Sequence, residues 1–311
     1  MTASVLLAVG CGGNRKAEQF KALPFPDAVP PAMMESADDR AEYMLTHWWD
    51  GITDPERNYP CDSTFVSGVS RDVVEQKFAN WVNILDMMDM RAVEKAVVRL
   101  YDRVAACERK DTSSNVFEIL SDLVVKYLYD PNSPLRNEDH YAFFAARMAS
   151  SDLVAPELQQ KYAREVRLAS LNRVGTKAAD FRFLDKRGKA HTLYGTDAEY
   201  TLLFFSNPGC TACQAIMDEL NMNPNISRLI DQSTMAVINI YIDEDLAAWR
   251  DYASAYSDKW YNGFDPDLVI RGETLYNVRA IPSLYLLDRD KTVLMKDAPE
   301  GRLFERLSRI K

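Results

Sequence analysis

Residues 204–217 read FFSNPGCTACQAIM. An apolar run ends at Phe205, the turn-forming residues Asn207, Pro208 and Gly209 follow, and a helical pattern then opens on two cysteines, Cys210 and Cys213. The pair reads as a redox dithiol, as half of a metal site, or as two buried thiols that are neighbours by accident. The order strand, turn, helix places Cys210 at a helix start, where backbone N–H groups lack internal partners and the helix dipole presents positive charge. Both favour a thiolate. A free cysteine is only about 3% thiolate at pH 7, and lowering its pKa by two units makes it roughly 75% thiolate. Intrinsic nucleophilicity falls with basicity, so the attack rate rises only about three- to fourfold. The larger gain is that Cys210 becomes a good leaving group when Cys213, one helical turn on, attacks a mixed disulfide. That spacing suits a complete exchange cycle, with Cys210 as nucleophile and Cys213 as resolving thiol.

The metal reading lacks ligands. The three histidines, His47, His140 and His191, are far apart, and there is no second CxxC and no HxxxH. No metal is expected. The net charge of −9, from 37 basic and 46 acidic residues, argues against binding nucleic acid through its phosphates. A chain of 311 residues that is 47% apolar has room for two packed domains.

From about Ser36 to Arg173 the pattern is helical. AEYMLTHWWD, VVEQKFANWVNILDMMDM, AVEKAVVRLYDRVAACER and VFEILSDLVVKYLYD all repeat apolar residues every three to four positions. HYAFFAARMAS and PELQQKYAREVRLASLNR make about six helices in all. Trp48, Trp49, Trp81, Met87 and Met88 lie at core spacing, which reads as packing. After Gly175 the pattern changes. ADFRFLDKRGKAHTLY alternates around Lys186-Arg187-Gly188 as a hairpin does, and TLLFFS and MAVINIYI are short apolar runs suited to buried strands. A helix from the cysteines to about Met222, a helix in DEDLAAWRDYASAY, the paired runs PSLYLLD and KTVLMKD, and a closing helix in PEGRLFERLSRI complete the series. The expected fold class is α + α/β: an all-helical domain at 36–173, then an α/β sheet covered on both faces at 174–311.

A second element sits about seventy residues after the dithiol, in RAIPSLYLLDRDKTVL, where Ile281-Pro282 stands immediately before a strand. With it the chain resembles the thioredoxin superfamily, whose cis-proline loop faces the CxxC. The resemblance implies a cis Pro282, and an Ile281 that offers its backbone to an extended substrate segment by strand addition. The match covers about residues 174–311, as a thioredoxin-like α/β sandwich. Gly175 to Phe181, with the hairpin ahead of the first core strand, resemble the envelope-anchored TlpA-type reductases. YLYDPNSPLRNEDHY, NPGC and AIPSLYLLD together are similar to a group of bacterial envelope lipoproteins, in which a helical domain of unknown function precedes a thioredoxin-like domain. Three positions depart from the usual pattern. Gly209 replaces a Trp before the first cysteine, Phe204 replaces a buried Asp or Asn, and Thr211-Ala212 replace Gly-Pro. These leave substrate range, proton handling and redox potential open.

The first residues, MTASVLLAVGC, resemble a lipoprotein signal segment (1–11), with an apolar run and a small residue before Cys11, the expected lipidation site. No Lys or Arg precedes the run, which is short for such a segment. Proline-rich residues 12–35 then read as a tether. The resemblance implies a lipid-anchored, periplasm-facing thiol–disulfide oxidoreductase that acts as a reductant and meets the membrane through its anchor only. It needs no cofactor beyond its own dithiol. Its partners would be disulfide-bearing client proteins and a protein electron donor, a membrane reductase being one such donor.

Two rival readings stay open. One is a non-enzymatic platform with a structural Cys210–Cys213 disulfide. Closing so short a loop gains little, which argues against a staple. The other is a peroxiredoxin-like peroxidase, suggested by NPGCT, although Asn207 and Leu203 stand where its pocket needs Thr or Ser and Pro. Cys61 and Cys107 could pair in an oxidising compartment or stay free. Asp243, Glu244 and Asp245 read as a solvated helix start, Glu219 as a surface residue or a proton relay, and Trp249 and Trp260 as core or groove lining.

Overall fold

The computed structural model describes residues 20–310. The signal-like segment with Cys11, and the first part of the expected tether, lie outside the described residues.

The helical half contains α1 (Ala37–His47), α2 (Arg71–Leu85), α3 (Met90–Lys110), α4 (Val116–Val124), α5 (Glu138–Ala149) and α6 (Pro156–Ala169). Local chemistry sets their starts. The Ser36 hydroxyl accepts from the Asp39 N–H, Asp89 accepts from the N–H groups of Arg91 and Ala92, and Asn137 accepts from that of His140. Pro156 occupies the first turn of α6, where its missing N–H costs nothing. One core fills the space between the helices. Trp49, Phe78, Trp81 and Phe144 pack edge to face or tilted through it, and the Trp81 indole N–H donates to the Leu45 carbonyl at 3.0 Å. Met87, read as core, is exposed: it follows the end of α2 in a turn.

Two features of this half differ from the sequence reading. Of residues 20–35, read as the end of a tether, the first part, around Leu23 and Phe25, lies on the helical core. Pro24 and Pro26 keep the stretch extended, so that Leu23 pairs with Val69 and Phe25 is buried against Trp49. A short hairpin, β1 (Phe65–Val66) with β2 (Val69–Ser70), interrupts the helices. α4 passes into a wider π turn at Val125–Tyr129 before Asp130 and Pro131 end it.

The second half is built on a seven-stranded mixed sheet. Its strands are β3 (Arg182–Asp185), β4 (Ala190–Thr192), β5 (Tyr200–Phe205), β6 (Met235–Tyr241), β7 (Tyr261–Phe264), β8 (Ser283–Leu287) and β9 (Val293–Met295). The order across the sheet is β4-β3-β7-β6-β5-β8-β9. β5 is central, parallel to β6 and antiparallel to β8. Helices α7 (Thr211–Met222), α8 (Pro224–Asp231), α9 (Leu246–Tyr252) and α10 (Glu300–Ser308) bury Ile216, Leu229, Trp249 and Leu303 in one core layer with Leu202, Phe204 and Val237 of the sheet. On the opposite layer Leu203, Phe205, Ile238 and Ile240 are covered by irregular chain, through Phe181, Leu193, Ile270 and Tyr276. Both faces are covered, but among the described residues only one by helices.

The two halves meet over a buried charged seam. Glu138, in the first turn of α5, lies 2.5 Å from Arg279 and 2.9 Å from Lys296 and accepts from the Asn277 amide at 2.6 Å. Lys296 also donates to the Ala169 and Leu171 carbonyls, both at 2.7 Å. Arg136 donates to the carbonyls of Asp297 and Ala298 at 3.0 and 2.9 Å. Tyr129 of the π turn lies 4.4 Å under the Arg279 guanidinium.

Candidate active site

Strand pairing brings the site together. Phe205, the last residue of β5, pairs with Ser283, the first of β8, so the dithiol and the proline loop leave the sheet side by side. After β5 the chain turns through Gly209 at φ +72°, a backbone state that glycine adopts without strain. This accounts for the absence of a Trp there, since a side chain would be strained even though the space beside it is open. Cys210 is the N-cap of α7, and its Sγ accepts from the Cys213 N–H at 3.1 Å. The two cysteines are joined in a disulfide. They differ in access. Cys210 is half-buried, whereas Cys213 is fully buried among apolar side chains that include Phe204, Ile216 and Leu220. The position of Phe204 thus carries no group able to move a proton.

The Ile281–Pro282 peptide bond is cis. Asp297 holds the loop on both sides of it, through Arg279 at 2.6 Å and the Ser283 hydroxyl at 2.9 Å. Burial works against the Arg279 charge, but Glu138 and Asp297 outweigh it and raise its pKa. Among the described residues, neither the main-chain N–H nor the C=O of Ile281 has a hydrogen-bond partner. A cavity of about 490 Å³ runs along this face. Ala212 and Ile216 form one wall and Ile281 and Pro282 another, while Pro131 and Asn132 of the helical half close a third side. The sequence reading placed Cys210, Cys213, Ile281 and Pro282 here; it missed the helical wall and the Glu138–Arg279–Asp297 support. YLYDPNSPLRNEDHY carried the only local signal, as a motif without an assigned role.

The remaining residues singled out from sequence lie elsewhere or do simpler work. Glu219 is exposed on α7 and lines the cavity. Asp245 caps α9 by accepting from the Ala248 N–H at 3.1 Å, and Asp243 pairs with Arg271 and accepts from the Asn207 amide. Trp249 and Trp260 are core residues. Cys61 and Cys107 are free: the Cys107 thiol donates to the Thr53 carbonyl at 3.2 Å, and Cys61 accepts from the Ser67 N–H at 3.3 Å. Among the described residues no three His, Cys, Asp or Glu side chains gather in a metal-binding group, and no helix is long and apolar enough to cross a membrane.

Residues 11–172 match the family described as Domain of unknown function (DUF5106), and residues 197–293 match the family described as Thioredoxin-like. A solved thioredoxin-like protein from Bacteroides caccae ATCC 43185 is 34% identical, with a TM-score of 0.80 over 94% of this chain and 100% of that one. The chain belongs to the thioredoxin-like proteins, with a DUF5106 domain at its N-terminal side. This thioredoxin-like protein also resembles the C-terminal domain of an uncharacterized protein from Bacteroides fragilis NCTC 9343, at 44% identity over 44% of this chain and 98% of that one, with a TM-score of 0.43. A domain of a possible thiol-disulfide isomerase from Cytophaga hutchinsonii ATCC 33406 is 22% identical over 45% of this chain and 93% of that one, with a TM-score of 0.38. No curated protein matches the chain.

Proposed function

We propose that this thioredoxin-like protein is a thiol–disulfide oxidoreductase that reduces client proteins through Cys210 and Cys213. The observation that carries the reading is the unequal burial of the two cysteines: Cys210 is only half-buried at the head of α7, and Cys213 is fully buried behind it. In the reduced protein the Cys210 thiolate attacks one sulfur of a client disulfide, and the other client sulfur leaves as a thiolate. The Cys213 N–H and the start of α7 stabilise the attacking anion. Cys213 then loses its proton and attacks the Cys210 sulfur. The client's second sulfur leaves, and the Cys210–Cys213 disulfide forms. Two electrons have passed to the client, and a protein dithiol, such as that of a membrane reductase, returns them. No cofactor beyond the dithiol takes part.

The same reading carries the cellular setting. A periplasm-facing protein anchored through a lipid on Cys11 would meet secreted clients, where disulfides form and need correction. Mass spectrometry of the membrane-associated chain checks that anchor; an unmodified Cys11 rejects it.

The test of the exchange reading is a trap. Cys213→Ala should hold clients on Cys210 as mixed disulfides, which Cys210→Ala does not. Capture by the Cys210→Ala protein instead would reverse the two roles. Failure of the wild-type reduced chain to reduce insulin or any small disulfide would return the protein to the platform reading.

A further inference from the structure

The cavity beside the dithiol is not built by the thioredoxin-like half alone. Pro131, Asn132 and Arg136, on the loop between the π turn and α5, close one side of it. The loop is held in place. The Ser133 hydroxyl donates to the Tyr127 carbonyl at 2.6 Å, and Arg136 reaches the Asp297 and Ala298 carbonyls across the seam. The two halves therefore share one surface that begins at Ala212, between the cysteines, and continues past Pro282 to Phe304 of α10.

The chemistry of that surface is specific. Its lining is largely apolar, with Ala212, Ala215, Ile216, Ile281 and Phe304. Its rim is acidic. Glu219 and Glu300 are exposed, and neither forms an ion pair among the described residues. Arg136, on the helical side, is buried and donates to the carbonyls of Ser133, Asp297 and Ala298; its charge is felt by Glu300, so Glu219 is the carboxylate left for a client cation. At one edge Ile281 presents unpaired main chain.

We infer that the helical domain is part of the client-binding site, and that the cavity takes an extended client segment with an apolar side chain and a Lys or Arg beside its disulfide. The inference rests on the exchange reading above and gives the DUF5106 domain a task within it. The apolar side chain enters between Ile216, Ile281 and Phe304, and the cation lies against Glu219. Asn132 limits the segment from the helical side.

Single-turnover rates of the fully reduced, full-length chain test this without an electron donor. The substrates are hydroxyethyl disulfide and two peptides with an internal disulfide, flanked by Leu-Lys in one and Leu-Glu in the other. The wild type should prefer the Leu-Lys peptide. Asn132→Trp should slow that peptide about tenfold more than it slows hydroxyethyl disulfide, the loss expected when one apolar contact is blocked. Glu219→Lys should shift the preference toward the Leu-Glu peptide by about two- to fivefold, the size of an exposed charge pair. Equal rates for both peptides, unmoved by Glu219→Lys, overturn the inference while reduction of hydroxyethyl disulfide keeps the exchange reading. If the Asn132→Trp protein melts early, Asn132→Lys at the same exposed position takes its place: it should slow the Leu-Lys peptide about two- to fivefold relative to the Leu-Glu peptide, and an unchanged ratio removes the helical domain from the site. If the wild type reduces nothing, the exchange reading falls, and fluorescence anisotropy of a labelled Leu-Lys peptide with serines for cysteines judges the cavity. Binding weakened by Glu219→Lys then keeps the cavity, and no binding overturns it.

Discussion

At the scale of single residues, Cys107 of the helical domain shows how surroundings decide reactivity. Cys107 lies under the loop of Thr53, and burial pushes its thiol above the ordinary range, outweighing the nearby Arg103 cation. Since the thiolate is the attacking form, the native thiol should react with iodoacetamide near neutral pH more slowly than the same thiol in the urea-unfolded chain. Alkylation followed by peptide mass spectrometry measures both rates; equal rates refute the assignment. The sequence left this thiol undecided between a bridge with Cys61 and isolation, because burial depends on chain fifty residues away. Cys210 was legible for the opposite reason: a strand, a turn and a helix start written in adjacent residues fix its surroundings locally.

At the scale of elements, runs with a strong period were readable and strands without one were not. The apolar runs of β5 and β6 announce themselves, as do the long helices α2 and α3. β7 does not: Tyr261-Asn262-Gly263-Phe264 shows neither alternation nor a continuous apolar run. The glycine that hides this strand is the residue it needs. A Cβ on Gly263 would meet the Phe183 ring at 2.6 Å and the Leu184 carbonyl oxygen at 2.8 Å, both on the neighbouring β3. Gly263→Ala should therefore cost about 1–3 kcal/mol by overpacking and loosen the β3–β4 hairpin first. Urea denaturation and hydrogen exchange of Phe183 and Leu184 check this. α8 was missed on similar grounds. The sequence pattern ends α7 at about Met222, where it does end, and marks no helix after it; Pro224 opens one, with Asn223 as its cap.

At the scale of the whole molecule, the division into a helical and an α/β half was legible from the change of period near Gly175, and the seam between them was not. Glu138, Arg279 and Lys296 are polar residues whose partners lie far away in sequence, and no local pattern marks them as buried. Removing one member leaves buried charge without its counterion, so Glu138→Ala should destabilise the fold by about 3–5 kcal/mol. Guanidinium titration measures the loss; a change below about 1 kcal/mol would mean that the seam is not a structural joint. The same seam predicts a response to acid. Burial holds the His140 imidazole below its usual 6.5, against the pull of Asp86 and Asp139 and with the help of Arg302. Below that value the unfolded chain takes up a proton that the native chain refuses, so stability is complete above pH 6.5 and is lost as pH falls beneath it. Melting temperatures at pH 7.5 and 5.5 should fall further for the wild type than for His140→Asn; an equal fall removes His140 from the account.

The unpaired main chain of Ile281 carries a consequence for who can be served. A finished protein has most of its peptide groups already committed to one another, and it has few spare edges to lend. A polypeptide still searching for its shape, or one with a slack loop around a wrong crosslink, has such an edge in plenty. On the proposed exchange reading, this one residue would sort customers by their state of completion before any sulfur is touched.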